Sequence, residues 1–190
     1  MIYVIADTHF GSRVVLKESR KEFKTQLEHD NAIIKNWKNT VKDEDTIYHL
    51  GDVGDYDEKR MSKIIKNLPG HKILILGNHD MKGHKTVEDA KIYWRHVGFD
   101  EVIEGPFMVT PQVMMSHYPM PVDTRYFINI HAHLHKARID LPGYFNLSVD
   151  CNCYRPQPLD YYLKRCSNLR KIEKKYKEEW FADHYKEFGK

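Results

Sequence analysis

A chain of 190 residues, 41% hydrophobic and 30% charged, is long enough for one domain with a sizeable core and has the make-up of an ordinary soluble protein. No apolar run approaches the ~18 residues of a membrane-crossing helix, so no membrane partner is expected. The net charge of +3 comes entirely from residues 159–190, which carry nine Lys/Arg against six Asp/Glu, too mild a bias for a nucleic-acid-binding stripe.

Met1-Ile2-Tyr3-Val4-Ile5-Ala6 opens the chain without a basic leader and reads as a strand over residues 2–6, which predicts a cytoplasmic protein. Asp7-Thr8-His9 follows, with a carboxylate and an imidazole two residues apart and so on one side of an extended chain. Ser19 and Glu22 are spaced as a capping box, predicting a helix from about Ser19 to Asn39 that buries Phe23, Leu27, Ile34 and Trp37. Thr46 to Leu50 is the second strand, and Gly51-Asp52-Val53-Gly54-Asp55 is its exit loop. A helix from about Asp57 to Asn67 stops at Leu68-Pro69-Gly70. Lys72 to Leu76 reads as a strand buried on both faces, ending abruptly at Gly77-Asn78-His79-Asp80. These two strand-helix-strand passes predict parallel pairing.

One more helix, about Lys85 to His96, gives way to short β-type runs at residues 101–104, 107–110, 112–116, 126–130 and between 137 and 149. They predict a second, largely antiparallel sheet packed on the first. Two of these runs end in histidines, at His117 and at His131-Ala132-His133-Leu134-His135. Leu163, Cys166, Leu169, Ile172, Tyr176 and Trp180 recur at helical spacing, so residues 1–158 read as the main domain and 159–190 as a helical appendage docked on it. Three cysteines, two of them only two residues apart, predict reduced thiols, with Cys151 and Cys153 at a strand end.

Of the twelve histidines, six (His9, His79, His117, His131, His133, His135) lie at or beside strand ends. The strand-end groups Asp7, His9, Asp52, Asn78, His79, His117, His133 and His135 form a mixed N/O donor set that suits manganese, iron, zinc, nickel or cobalt better than magnesium or calcium. A single ion would leave several of them idle. Two ions sharing Asp52 would use them all and could clamp both sides of a phosphoryl displacement. His131, His29, His49, His71, His84, His96 and His184 read as satisfied structural histidines.

In that order, Asp7-x-His9, Gly51-Asp52, Gly77-Asn78-His79-Asp80, His117 and His133-x-His135 resemble the calcineurin-like metallophosphoesterase superfamily over residues 1 to about 159. The resemblance implies an α+β fold, a four-layer α/β/β/α double β-sandwich in a single domain. It implies one ion held by Asp7, His9, Asp52 and His135 and another by Asp52, Asn78, His117 and His133, with manganese the expected metal. His79 would face the scissile phosphate and protonate the leaving oxygen, and Asp55 would orient it. Arg13 and Arg155 are candidates for pairing with substrate phosphate.

Ala132 stands where the family has glycine, and Tyr56-Asp57 replaces the arginine-glycine pair of protein phosphatases, which argues against that activity. Too short for a capping domain, the chain is expected to be a two-metal phosphoesterase in which ion-activated water attacks phosphodiesters, and also phosphomonoesters, of nucleotides or nucleic-acid-derived substrates. The alternatives are a catalytically silent scaffold on the same fold, or a nucleic-acid-binding module acting through the basic tail.

Overall fold

The computed structural model describes residues 1–165. In chain order they form β1 (Ile2–Ile5), α1 (Arg13–Ser19), α2 (Gln26–Thr40), β2 (Thr46–His49), α3 (Glu58–Lys66), β3 (His71–Ile75), α4 (Val87–Val97), β4 (Glu101–Ile103), β5 (Phe107–Thr110), β6 (Val113–Met115), β7 (Ile128–His131), β8 (Tyr144–Asn146) and β9 (Gln157–Pro158), with helical residues again at 159–165.

The first sheet has the order β4-β3-β2-β1-β9. Strands β1 to β4 are parallel, as the strand-helix alternation predicts, and β9 closes the edge antiparallel to β1. Ile5 and Leu74 both register with His49, so β1, β2 and β3 end level and release their exit loops along one edge. The second sheet has the order β5-β6-β7-β8.

Alternation along the strands divides the core in two. Tyr3, Ile5, Ile47 and Leu74 face Ile33 and Trp37 of α2, Met61 and Ile65 of α3, and Ala90 and Trp94 of α4. Val4, Leu50 and Ile75 point the other way, onto Val113, Met115, Ile128 and Ile130 of the second sheet. The result is the expected double β-sandwich with helices outside the first sheet. Leu159 and Tyr162 enter the second core, so the start of the final helix docks there. The rest of its apolar stripe, from Cys166 on, lies outside the described residues.

Five local expectations are corrected. The helix predicted over residues 19–39 is two helices, because the chain dives inward after Ser19 to bury Arg20 completely. The cap of α2 is Thr25, whose Oγ1 accepts from Glu28 N at 3.1 Å, and its buried face is His29, Asp30, Ile33 and Trp37, while Leu27 is exposed. Strand β4 joins the first sheet rather than the second. Most consequentially, the second sheet is antiparallel only between β5 and β6; β6, β7 and β8 run parallel. An antiparallel β6–β7 pair would have sent His117 and His133 to opposite edges, whereas the parallel pair delivers both to the same one. Cys151 and Cys153, both free, occupy a short 3-10 helix and the turn after it rather than a strand end.

If the two cores form one cooperative unit, Ile65→Ala in the first and Ile130→Ala in the second should each lower the unfolding free energy by about 2–5 kcal/mol and shift the same single urea transition. Two separable transitions would contradict this.

Candidate metal centre

The exit loops prolong the parallel pairing beyond the strands. Asp7 N donates to Gly51 O at 3.0 Å, His9 N to Asp52 O at 3.0 Å and Phe10 N to Val53 O at 2.9 Å, which fixes Asp7-x-His9 against Asp52. The second sheet is stitched on at the same end: Leu147 N donates to His131 O and Val149 N to Ala6 O, so residues 147–149 bridge β7 and β1. His133 N then donates across the seam to Asp7 Oδ2 at 3.0 Å.

Five of the predicted donor residues, Asp7, His9, Asp52, His133 and His135, have left-handed backbones, with φ between 45° and 67°. Each such conformation costs a non-glycine residue roughly 1–2 kcal/mol, and residues held this way gather at functional sites. Two glycines make the close approach possible: a Cβ on Gly77 would lie 2.5 Å from Asp52 Oδ1, and one on Gly51 would lie 2.5 Å from Gly77 N. Ala132 has no left-handed backbone, which is why alanine is accommodated in the family's glycine position.

The side chains converge in two overlapping groups, Asp7–His9–Asp52 and Asp52–His117–His133, each with its donor atoms within 4.8 Å of one another. Asp52 spans both. Its Oδ2 lies 3.5 Å from His9 Nε2 and its Oδ1 lies 3.6 Å from His117 Nε2. Asn78 Oδ1 joins the second group, 2.9 Å from His117 Nε2, and the His135 ring stacks on His9 at 5.1 Å between centroids. His79 meets His9 edge-on at 4.9 Å.

This arrangement is electrostatically unfinished. Burial, reinforced by the charge of Asp52, pushes the Asp7 carboxyl from 3.8 up to about 7. Burial drives the His9 imidazole down to about 2, and neither of its nitrogens has a hydrogen-bond partner. Burial also raises Asp52 and lowers His117 and His133. His117 Nδ1, 2.8 Å from Leu50 O, takes the ring proton, so the Nε2 lone pair confronts the oxygen of Asn78. Lone pairs and carboxylates aimed at one another in a buried space are the donor set of a cation, and the residues present fit one.

Four supports were not foreseen. Arg20, fully buried, donates to Thr8 O at 3.1 Å and Asp7 O at 2.5 Å, and its Nε and NH2 reach the two oxygens of Asp150 at 3.1 and 2.8 Å. Asp150 Oδ2 lies 3.0 Å from His135 Nδ1, which leaves His135 Nε2 as the free donor. Burial would raise Asp150, but the hydrogen bonds from His135 and Arg20 outweigh it and hold the carboxyl well below the usual range; the same bond raises His135. Asp80 accepts from the N–H groups of Asp52, Val53 and Gly77 and locks the second loop to the third. Lys82 Nζ lies 2.8 Å from His79 Nδ1.

The other predicted residues are less central. Asp55 Oδ1 is 3.8 Å from His79 Nδ1, within ion-pair range but beyond a hydrogen bond. Arg13 opens α1 and Arg155 lies in the turn before β9; both are exposed. His131 and His49, read as satisfied, each keep one buried nitrogen without a partner, His131 Nε2 and His49 Nδ1.

Two outcomes follow. Asp150→Asn should weaken manganese binding about 10–100-fold by isothermal titration, since it removes the carboxylate that orients a donor histidine; unchanged affinity would contradict that role. In metal-free protein, the stability contributed by protonated Asp7 is present below its ordinary value of 3.8 and lost as pH rises through about 7. The stability of Asp7→Asn relative to wild type, from urea midpoints, should therefore climb across that interval and level off above it, and a constant difference would count against it.

The chain matches the calcineurin-like phosphoesterase family over residues 1–188. An uncharacterized protein of Methanocaldococcus jannaschii is 29% identical over 177 residues, covering 86% of this chain and 89% of that one. The Gene 66 protein of Mycobacterium phage L5 is 31% identical over 127 residues, covering 60% and 61%. Among solved structures, a protein of unknown function from Aquifex aeolicus is 28% identical with a TM-score of 0.62, covering 82% of this chain and 94% of that one. With a match that runs from the first strand into the final helix and takes in every donor loop, the chain belongs to the calcineurin-like phosphoesterase family.

Proposed function

We propose that this protein is a two-metal phosphoesterase that hydrolyses phosphodiesters, and secondarily phosphomonoesters, of nucleotides or nucleic-acid-derived substrates. The family is metal-dependent and implies a phosphate-ester substrate. The observation that carries the reading is the pair of donor groups that meet at Asp52. Among the described residues no helix is long and apolar enough to cross a membrane.

A pair of divalent ions, when bound, would activate water and neutralise phosphoryl oxygens. Asp7, His9, Asp52 and His135 would hold one, and Asp52, Asn78, His117 and His133 the other, with manganese preferred and iron, zinc, nickel or cobalt also compatible with the donors.

The chain's own acid-base work falls to His79. Its backbone N–H donates to Asp52 Oδ1 at 2.9 Å, which ties its position to the shared carboxylate, while its ring stays partly exposed beside His9. From there it can give a proton to the departing oxygen. Lys82, against both ring nitrogens, adds positive charge where phosphate would sit, and Asp55, 3.8 Å from Nδ1, is the carboxylate that would orient the ring. Trp94 of α4 donates from Nε1 to Asp80 O at 3.0 Å and so braces the loop that carries the histidine.

Manganese-loaded protein should hydrolyse bis-p-nitrophenyl phosphate, and silence at every metal concentration would overturn the proposal. His79→Ala should lower kcat by about 10²–10⁴-fold with bound manganese unchanged. Asp55→Asn should lower kcat by a smaller factor, again with metal content intact; loss of metal instead would move Asp55 into the ligand shell.

A further inference from the structure

The two flanks of the metal centre differ in polarity. Beyond His79, a cavity of about 350 Å³ is lined by Asp55, Tyr56, Asp80, Lys82, His84 and Tyr93, a polar mixture of one lysine with two carboxylates. Beyond Asn78 and His117, a cavity of about 440 Å³ is walled by Leu76, Met81, Val87, Pro106, Tyr118 and Met120. No Lys or Arg lines this second cavity among the described residues, and the carboxylate at its rim is Glu104. Its size lies within the range of about 300–1,000 Å³ typical of small-molecule sites. Tyr118, half exposed at the mouth, sets its ring 4.4 Å from that of His133 and 5.1 Å from that of His117, so an aromatic surface runs from the donor groups into the cavity.

Resting on the phosphoesterase reading, we infer that this second cavity is the subsite for one organic arm of a phosphodiester, and that the arm is flat, uncharged and of aryl or nucleobase size. Apolar walls and two methionines suit a ring system that stacks at Tyr118. The lone carboxylate repels a second phosphate or a carboxylate on that arm and accepts from N–H or O–H donors such as those of a base edge. An arm ending in negative charge would be desolvated among apolar side chains and opposed by Glu104, with no Lys or Arg among the described lining residues to offset either cost. The apolar lining and Glu104 would thus also orient the diester, with its neutral arm in this cavity.

The test uses the full chain loaded with manganese and three diesters that share a p-nitrophenolate leaving group: bis-p-nitrophenyl phosphate, methyl p-nitrophenyl phosphate and 4-carboxyphenyl p-nitrophenyl phosphate. Wild type should prefer the first over each of the others by tenfold or more in kcat/KM. Met120→Trp, which fills the cavity, should collapse the aryl-over-methyl ratio, and Glu104→Arg, a change on an exposed loop, should narrow or invert the neutral-over-carboxylate ratio. A second readout is independent of metal: adenosine should give saturation-transfer NMR signals with metal-free wild type and lose them with Met120→Trp. If wild type cleaves the diesters but neither substitution moves its ratio and adenosine gives no signal, the subsite is wrong and the phosphoesterase reading stands. If wild type cleaves none of them, the phosphoesterase reading fails first.

Discussion

The structure turns on one unbalanced interaction: Asp7 and Asp52, two buried carboxylates, are held beside His9, a buried imidazole with neither nitrogen hydrogen-bonded. Left alone, such groups repel or go unpartnered, and a fold would ordinarily separate them. Here the backbone is bent into left-handed conformations to bring them together, and glycines at 51 and 77 remove the side chains that would keep the loops apart. The fold offsets part of the imbalance with Arg20, which is bonded to the carbonyls of Asp7 and Thr8 and paired with Asp150. The remainder is what the proposed ions would supply.

The same logic explains the order in which the loops are built. Parallel register levels the ends of β1, β2 and β3, and a second parallel pair, β6 and β7, brings two more histidine-bearing loops to the same seam. Around this centre the supports are short and direct. Asp80 ties the second loop to the third, Asp150 ties His135 to Arg20, and Trp94 ties the His79 loop to α4. A donor set of this kind requires such rigidity, because loose ligands would swing away from one another in the absence of an ion.

What could be read from the sequence was what is local. Each donor lies within a few residues of an apolar strand, so its block and its place at a strand end were legible, and the order of the blocks pointed to the family. The direction of β7 was hidden because a parallel crossover usually announces itself by a helix, and residues 116–127 between β6 and β7 contain none. The split of the first helix was hidden by rival capping patterns: Ser19 with Glu22 and Thr25 with Glu28 have the same spacing, and only the burial of Arg20 decides between them. Arg20 and Asp150 lie 130 residues apart, and neither belongs to a motif, so no local signal joins them. An arginine just after a short amphipathic turn is ordinarily a surface residue.

The shared carboxylate of Asp52 is the centre of this account, and electron paramagnetic resonance of the manganese-loaded protein addresses it most directly. Two ions per chain with an exchange-coupled spectrum, replaced in Asp52→Asn by the signal of isolated ions, is the result the account requires. A single uncoupled ion in wild type at saturating manganese would contradict it.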